Sequence, residues 1–195
     1  MSLYNQTNTT NFILDIPDGK LTEAFVLNVQ TANLPGMRIP VSDLPSDTQG
    51  LGRAQLPGST FEHDQMPVRF LIDENFDSWL CMYRWMLSIN NYINHNNTAW
   101  KPKGQPEAVT LHILNNDRTE IVLSYHMYGA WVSDMSEVEF NYTEETDLAM
   151  TCTAMIAFKY FEIEKDGIII SSRPNITDSI MSQQSSKMSV HPSMR

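Results

Sequence analysis

The chain has 195 residues and 42% apolar content, enough for one ordinary core with an appended arm rather than several domains. Thirteen Lys and Arg against 23 Asp and Glu leave a formal charge of -10, which argues against a protein that neutralises phosphates and permits, without demanding, a surface past which DNA slides without sticking. Cys81 and Cys152 make no disulfide framework, no apolar run approaches the ~20 residues that span a bilayer, and the polar start lacks a secretory pattern, so production in a reducing cytoplasm is expected.

In chain order, Phe12 to Ile16 reads as a short strand followed by Pro17-Asp18-Gly19-Lys20 turn chemistry. Ala24 to Ala32 alternates Phe25, Leu27, Val29 and Thr31 with Val26, Asn28 and Gln30 and is expected to form a half-buried strand. Met37 to Val41 is extended between Pro35 and Pro40, and Ser42 to Glu62 reads as a long loop punctuated by Pro45, Gly50, Gly52, Pro57 and Gly58. A loop of that length is either ordered by a partner or a mobile insertion. Met66, Val68, Phe70 and Ile72 mark the next strand, and Asp73-Glu74-Asn75 caps a helix. On that helix Phe76, Trp79, Leu80, Tyr83, Met86, Leu87 and Ile93 form the stripe expected to dock on a sheet. Met82, Trp85 and Ile89 fall off it, facing either a second surface such as a neighbouring subunit or a loop of the same chain.

Asn90 to Asn97 and Lys101 to Gly104 are polar loop. Val109, Leu111 and Ile113, then the Asn115 to Arg118 turn, then Ile121, Leu123, Tyr125 and Met127 describe a hairpin, broken at Gly129-Ala130-Trp131. Val138, Phe140 and Tyr142 alternate with Glu137, Glu139 and Asn141, a strand with one acidic face that Glu144, Glu145 and Asp147 extend. Leu148 to about Ile163 reads as one long strand that bends or bulges, with Met150, Cys152, Ala154, Ile156, Phe158 and Tyr160 on one side. From Asp166 the run Ile168-Ile169-Ile170 leads into a Ser-, Pro-, Asn- and Gln-rich tail, an arm rather than core, with Ile176 and Met188 among its few apolar residues.

No phosphate loop, nucleophile elbow or zinc spacing is present, so no catalytic residue, metal or cofactor is expected. Glu62, His63 and Asp64 are adjacent on extended chain and cannot all converge on one ion. His112 and His126 lie on paired strands but out of register with one another.

With these elements in order, the chain resembles the tail-tube protein family of T4-like contractile phages, and more distantly the tube subunit of type VI secretion systems. The resemblance is carried by Ala32-Asn33-Leu34-Pro35-Gly36-Met37-Arg38-Ile39-Pro40-Val41, by Thr60 to Asp64, by a helix with Trp79 and Trp85, by Tyr128-Gly129-Ala130-Trp131-Val132-Ser133, and by the ending Ala157 to Phe161. It implies a mainly β fold, a two-sheet barrel or sandwich with one flanking helix, over residues 12–165. A polar segment, 1–11, precedes this domain, and a C-terminal extension, 166–195, follows it. It further implies a structural virion protein without enzymatic activity, assembled in the host cytoplasm into stacked hexameric rings around a DNA-conducting lumen. The alternatives are a baseplate- or neck-proximal ring of the same fold, an initiator or terminator of the tube, and a tube subunit of a bacterial contractile injection system. The implied partners are further copies of itself, the tail sheath, and baseplate or neck proteins, with DNA passing unbound and no membrane. Ring stacking is expected on Met37, Arg38, Leu44, Leu51, Arg53, Leu56 and Phe61. Candidate lumen acids are Glu137, Glu139, Glu144, Glu145 and Asp147, and helix contacts are Phe76, Trp79, Leu80, Tyr83, Trp85 and Met86. The arm offers Ile168, Ile169, Ile170, Ile176 and Met188 for a neighbouring subunit, the sheath or a specialised ring.

Overall fold

The structure, a computed structural model, describes residues 6–45, 52–97, 108–142 and 149–172. In chain order the elements are β1 (Phe12–Asp15), α1 (Glu23–Leu27), β2 (Val29–Ala32), β3 (Met37–Arg38), β4 (Val41–Pro45), β5 (Arg53–Pro57), β6 (Glu62–His63) and β7 (Met66–Leu71). There follow α2 (Asp77–Ile89), β8 (Asn90–Asn91), β9 (Asn96–Asn97), β10 (Ala108–Leu114), β11 (Ile121–Tyr128), β12 (Trp131–Met135), β13 (Thr151–Ala157), β14 (Tyr160–Lys165) and β15 (Ile168–Ile169). A five-stranded sheet, β1-β10-β11-β14-β15, faces a four-stranded sheet, β12-β13-β7-β2, and neighbouring strands in both are antiparallel.

The core follows from period-two alternation. Leu14, Leu111, Tyr125 and Met127 project from the first sheet, and Met66, Val68, Phe70, Cys152, Ala154 and Ile156 from the second; all are buried in one cluster. The opposite face of the five-stranded sheet is polar across its middle strands, with Ile13 and Ile169 at its two edges. There His126 Nε2 meets Glu164 Oε2 at 2.8 Å and its Nδ1 meets Thr110 Oγ1 at 3.0 Å, while His112 Nδ1 meets Ser124 Oγ at 2.9 Å. The two histidines are therefore each paired elsewhere, as their offset register requires.

Several expectations are corrected. Residues 24–32 are not one strand: α1 occupies the first half and only Val29–Ala32 pairs with β7. Asp18 Oδ1 accepts from the Leu21 and Thr22 amides to turn the chain, and fully buried Phe25 packs edge-on against Phe70 at 4.9 Å. Over five residues, a helical turn and an alternating strand bury nearly the same positions, so periodicity cannot separate them. Among the described residues the domain thus carries a short second helix beside the flanking one.

The docking face of α2 is also rotated from the expected one. Ser78, Met82, Trp85 and Ile89 are buried, at helical spacing, so Trp85 belongs to the core of its own chain. Phe76, Trp79, Leu80, Tyr83 and Met86 lie partly buried on the flanks. The cause is local. Phe76 adopts a left-handed backbone at φ 59°, and Asp73 accepts from the Asp77 and Ser78 amides at 2.9 and 2.8 Å. The Ser78 hydroxyl sits within 2.7 Å of Asp73 Oδ1 and 3.0 Å of the Leu71 carbonyl, which seats this small polar residue inward and sets the helix rotation.

Residues 148–163 are not a single strand. β13 ends at Ala157 and β14 begins at Tyr160 in the other sheet, with Phe158 buried at the corner and the Lys159 amide donating to the Tyr128 carbonyl. The segment Glu137 to Tyr142 is not a strand either. After a bulge in β12 the Ser136 amide still bonds Thr153, then the chain leaves the sheet and Phe140 stacks on Phe76. Neither sheet closes into a barrel within the described residues. Among those residues no helix is long and apolar enough to cross a membrane.

Candidate assembly surfaces

The expected long loop is a β arm. β2 and β7, neighbours in the four-stranded sheet, run on outward as the β3–β6 ladder and then the β4–β5 ladder, with Val41 opposite Pro57 and Pro45 opposite Arg53. Its sequence hides this because Pro40, Pro45 and Pro57 interrupt both strands; Pro is tolerated here because a two-stranded arm consists only of edges. The arm rises from a braced root. Arg38 Nε donates to Glu62 at 2.8 Å, and Arg38 Nη1 lies 3.8 Å from Asp64 Oδ1. The Asp64 amide donates to the Gly36 carbonyl and the Gly58 amide to the Pro40 carbonyl, at 2.9 and 2.7 Å. A Cβ on Gly58 would stand 2.8 Å from that carbonyl oxygen, so the close crossing of the two strands requires glycine. His63 stacks on Phe158 at 4.3 Å, tying the root to the domain.

This accounts for the Glu62-His63-Asp64 cluster. Arg38 engages both carboxylates and the imidazole is stacked, and among the described residues no group of His, Cys, Asp or Glu could hold a metal ion.

Of the expected stacking residues, Met37, Arg38, Leu44, Arg53, Leu56 and Phe61 all fall on the arm and are exposed; Leu51 lies outside the described residues. By register Leu44 and Leu56 share one face of the β4–β5 ladder, with Ala54 between them. Sequence reasoning passed over Leu34, Ile39 and Val41, which extend the exposed apolar surface along the arm. The available signal was aliphatic residues persisting through a Pro- and Gly-rich stretch. Isolated apolar side chains on a surface are ordinary, but seven large ones on one projecting element form a surface that excludes water only when something packs on it.

Three other surfaces were anticipated. Glu137 and Glu139 are exposed, beside the corner at β12, whereas Glu144, Glu145 and Asp147 lie outside the described residues. On one flank of α2, Trp79, which also packs against the core, stacks on Tyr83 at 5.6 Å, and the Tyr83 and Tyr92 hydroxyls meet at 3.2 Å. Ile168 and Ile169 form β15, the last strand of the five-stranded sheet, with Ile170 continuing it; all three are exposed, and Ile176 and Met188 lie outside the described residues. Buried Cys152 behaves as a small core hydrophobe, and burial raises the pKa of the partly buried Cys81 thiol.

The phage tail tube protein family matches residues 4–164. The chain is 54% identical over 169 residues to the tail tube terminator protein of Enterobacteria phage T4, covering 87% of this chain and 95% of that protein. Among solved structures, the tube-terminating cap of the anti-feeding prophage superposes with a TM-score of 0.57 at 14% identity, over 85% of this chain and 95% of the cap. The sheath/tube terminator of an extracellular contractile injection system, PVC, also reaches 0.57, at 12% identity over 84% and 99% of the two chains. At such identities the structural matches speak for the fold: two packed sheets with a docked helix. The family match takes in the arm and both sheets up to β14, leaving only β15 beyond it, and the chain therefore belongs to the phage tail tube protein family as a tail tube-type structural protein of the virion.

Proposed function

We propose that this protein is the terminal ring of a contractile phage tail tube rather than its repeating subunit. Copies join head to tail, six to a ring, and the ring seats on the last tube ring through the 29–71 arm, leaving a lumen for DNA. The observation that carries this reading is the near full-length likeness to the T4 tail tube terminator, which favours the end of the tube over its shaft. The arm supports it physically, since its exposed Leu34, Met37, Ile39, Val41, Leu44, Leu56 and Phe61 need an apolar partner and its braced root holds them in place.

In this reading the protein carries no catalysis. Glu137 and Glu139 belong to the acidic lining that keeps DNA from adhering. The outer side of α2 and the extension 166–195 meet neck or sheath components. The four-stranded sheet contains an even number of antiparallel strands, so its edge strands β2 and β12 run in opposite directions. Rotation-related copies then bring the two edges together antiparallel and remove both.

Purified protein mixed with preassembled tail tubes tests the proposal by negative-stain microscopy and tube-length distribution. One ring at one end, with elongation arrested, is expected. Self-polymerisation into long tubes would return the protein to the shaft, and no binding to tube ends at any concentration would refute both readings.

A further inference from the structure

The five-stranded sheet carries a second pair of edges, and they differ in kind from those of the four-stranded sheet. Each neighbouring pair is antiparallel and the strand count is odd, so the edge strands β1 and β15 run in the same direction. Copies related by rotation about an axis along the strands bring β15 of one subunit beside β1 of the next in parallel.

Both edges have their backbone groups in the right phase for such a pairing. The Leu114 amide donates to the Asn11 carbonyl, so by alternation the Phe12 carbonyl and the Leu14 amide face away from β10. The Ile170 amide donates to the Ile163 carbonyl, so the amide and carbonyl of Ile169 face away from β14. A parallel ladder needs this complement: the Ile169 amide donates to the Phe12 carbonyl, and the Leu14 amide donates to the Ile169 carbonyl. That alignment puts Ile169 opposite Ile13.

The side chains agree with the register. Ile13 and Ile169 lie on the same outer row of the sheet, through His112, Ser124 and Glu164, and are 49% and 55% exposed. On the core side Ile168 would come beside Phe12, at the apolar wall (Phe12, Leu34, Leu111 and Ile113) of an open cleft of about 340 Å³ whose other wall is polar, including Thr7, Asn11 and Asn33. Apolar residues thus meet apolar residues on both faces of the join. A sheet edge displaying three consecutive exposed isoleucines is a pairing template unless it is covered.

We propose that β15 of one copy docks on the β1 edge of the next, a second subunit contact that rests on the ring reading above and locates it at Ile13, Phe12 and Ile168 to Ile170. The test uses the full chain with single and paired substitutions at these exposed positions. Ile13→Cys with Ile169→Cys should give, on mild oxidation, a ladder of disulfide-linked species up to the ring size, because directly opposed residues on neighbouring strands lie within disulfide reach. Neither single cysteine variant should give it. Ile13→Lys and Ile169→Asp should each raise the concentration needed for ring assembly at least tenfold while leaving circular dichroism and thermal midpoint unchanged, and the two together should recover assembly. If wild type forms rings and the charged variants form them equally well, with no disulfide ladder, the contact is refuted while the terminator reading stands. If wild type neither forms rings nor binds tube ends, both fall together.

Discussion

Replacing Leu44 and Leu56 together with serine separates the function of the arm from its stability. The two side chains share one face of the β4–β5 ladder and are 49% and 47% exposed. Fully burying a leucine is worth ~1.5–3 kcal/mol, so the half that remains in water offers roughly 1 kcal/mol per residue and about 2 kcal/mol for the pair. That corresponds to roughly thirtyfold in affinity for each arm, and more for a ring that engages through several arms at once. The isolated subunit should hardly notice, because surface substitutions away from packed contacts usually fall within about ±0.5 kcal/mol. Binding to immobilised tail tube ends, measured alongside the thermal midpoint, checks both halves. A large fall in midpoint would mean that these leucines pack within the subunit, and unchanged end binding would mean that the arm is not the contact; either result refutes the reasoning.

Trp85→Ala should destabilise the domain by about 3–5 kcal/mol in denaturant titration, since Trp85 fills the core, whereas Tyr83→Ala on the outer flank should shift the midpoint far less. Gly58→Ala should open the crossing at Pro40 at a cost of about 1–3 kcal/mol and weaken tube-end binding through the changed angle of the arm, read by the same two assays. Asp73 has its carboxyl pKa held well below the ordinary range, first by the Ser78 hydroxyl and then by the Ser78 and Asp77 amides. A folded-state pKa below the unfolded value of about 3.9 makes its contribution present above that pH and lost as pH falls through the folded value. The difference in thermal midpoint between wild type and Asp73→Asn should therefore be full near neutrality and shrink below about pH 4. A difference that stays constant into strong acid would show that the carboxylate charge is not what caps α2.

Family membership and the position of the arm bear on each other. The arm has little local periodicity, and among the described residues nothing covers its apolar side chains. In the proposed terminal ring this element would be covered by the neighbouring tube ring, as a projecting segment that carries function rather than core. The same holds for the sheet edges, which have no strand neighbour among the described residues and carry no local signal to distinguish them from protected strands.

Alternation in the sequence marks the β character of the domain and the strands at Met66 to Leu71 and Ala108 to Tyr128, because it is long and bounded by strong turn residues. The cap at Asp73 and the family were legible too, as was a Pro- and Gly-punctuated segment carrying aliphatic residues, since such punctuation is a local property. Only the tertiary structure decided that Ser78, and not Trp79, points inward, because a hydrogen bond to the Leu71 carbonyl outweighs the larger apolar stripe. It likewise decided that residues 151–165 turn a corner between two sheets, since an apolar alternation reads the same whichever sheet receives it. The directions and free backbone groups of the edge strands belong to the same class: they depend on how many strands intervene, a count that no local pattern carries.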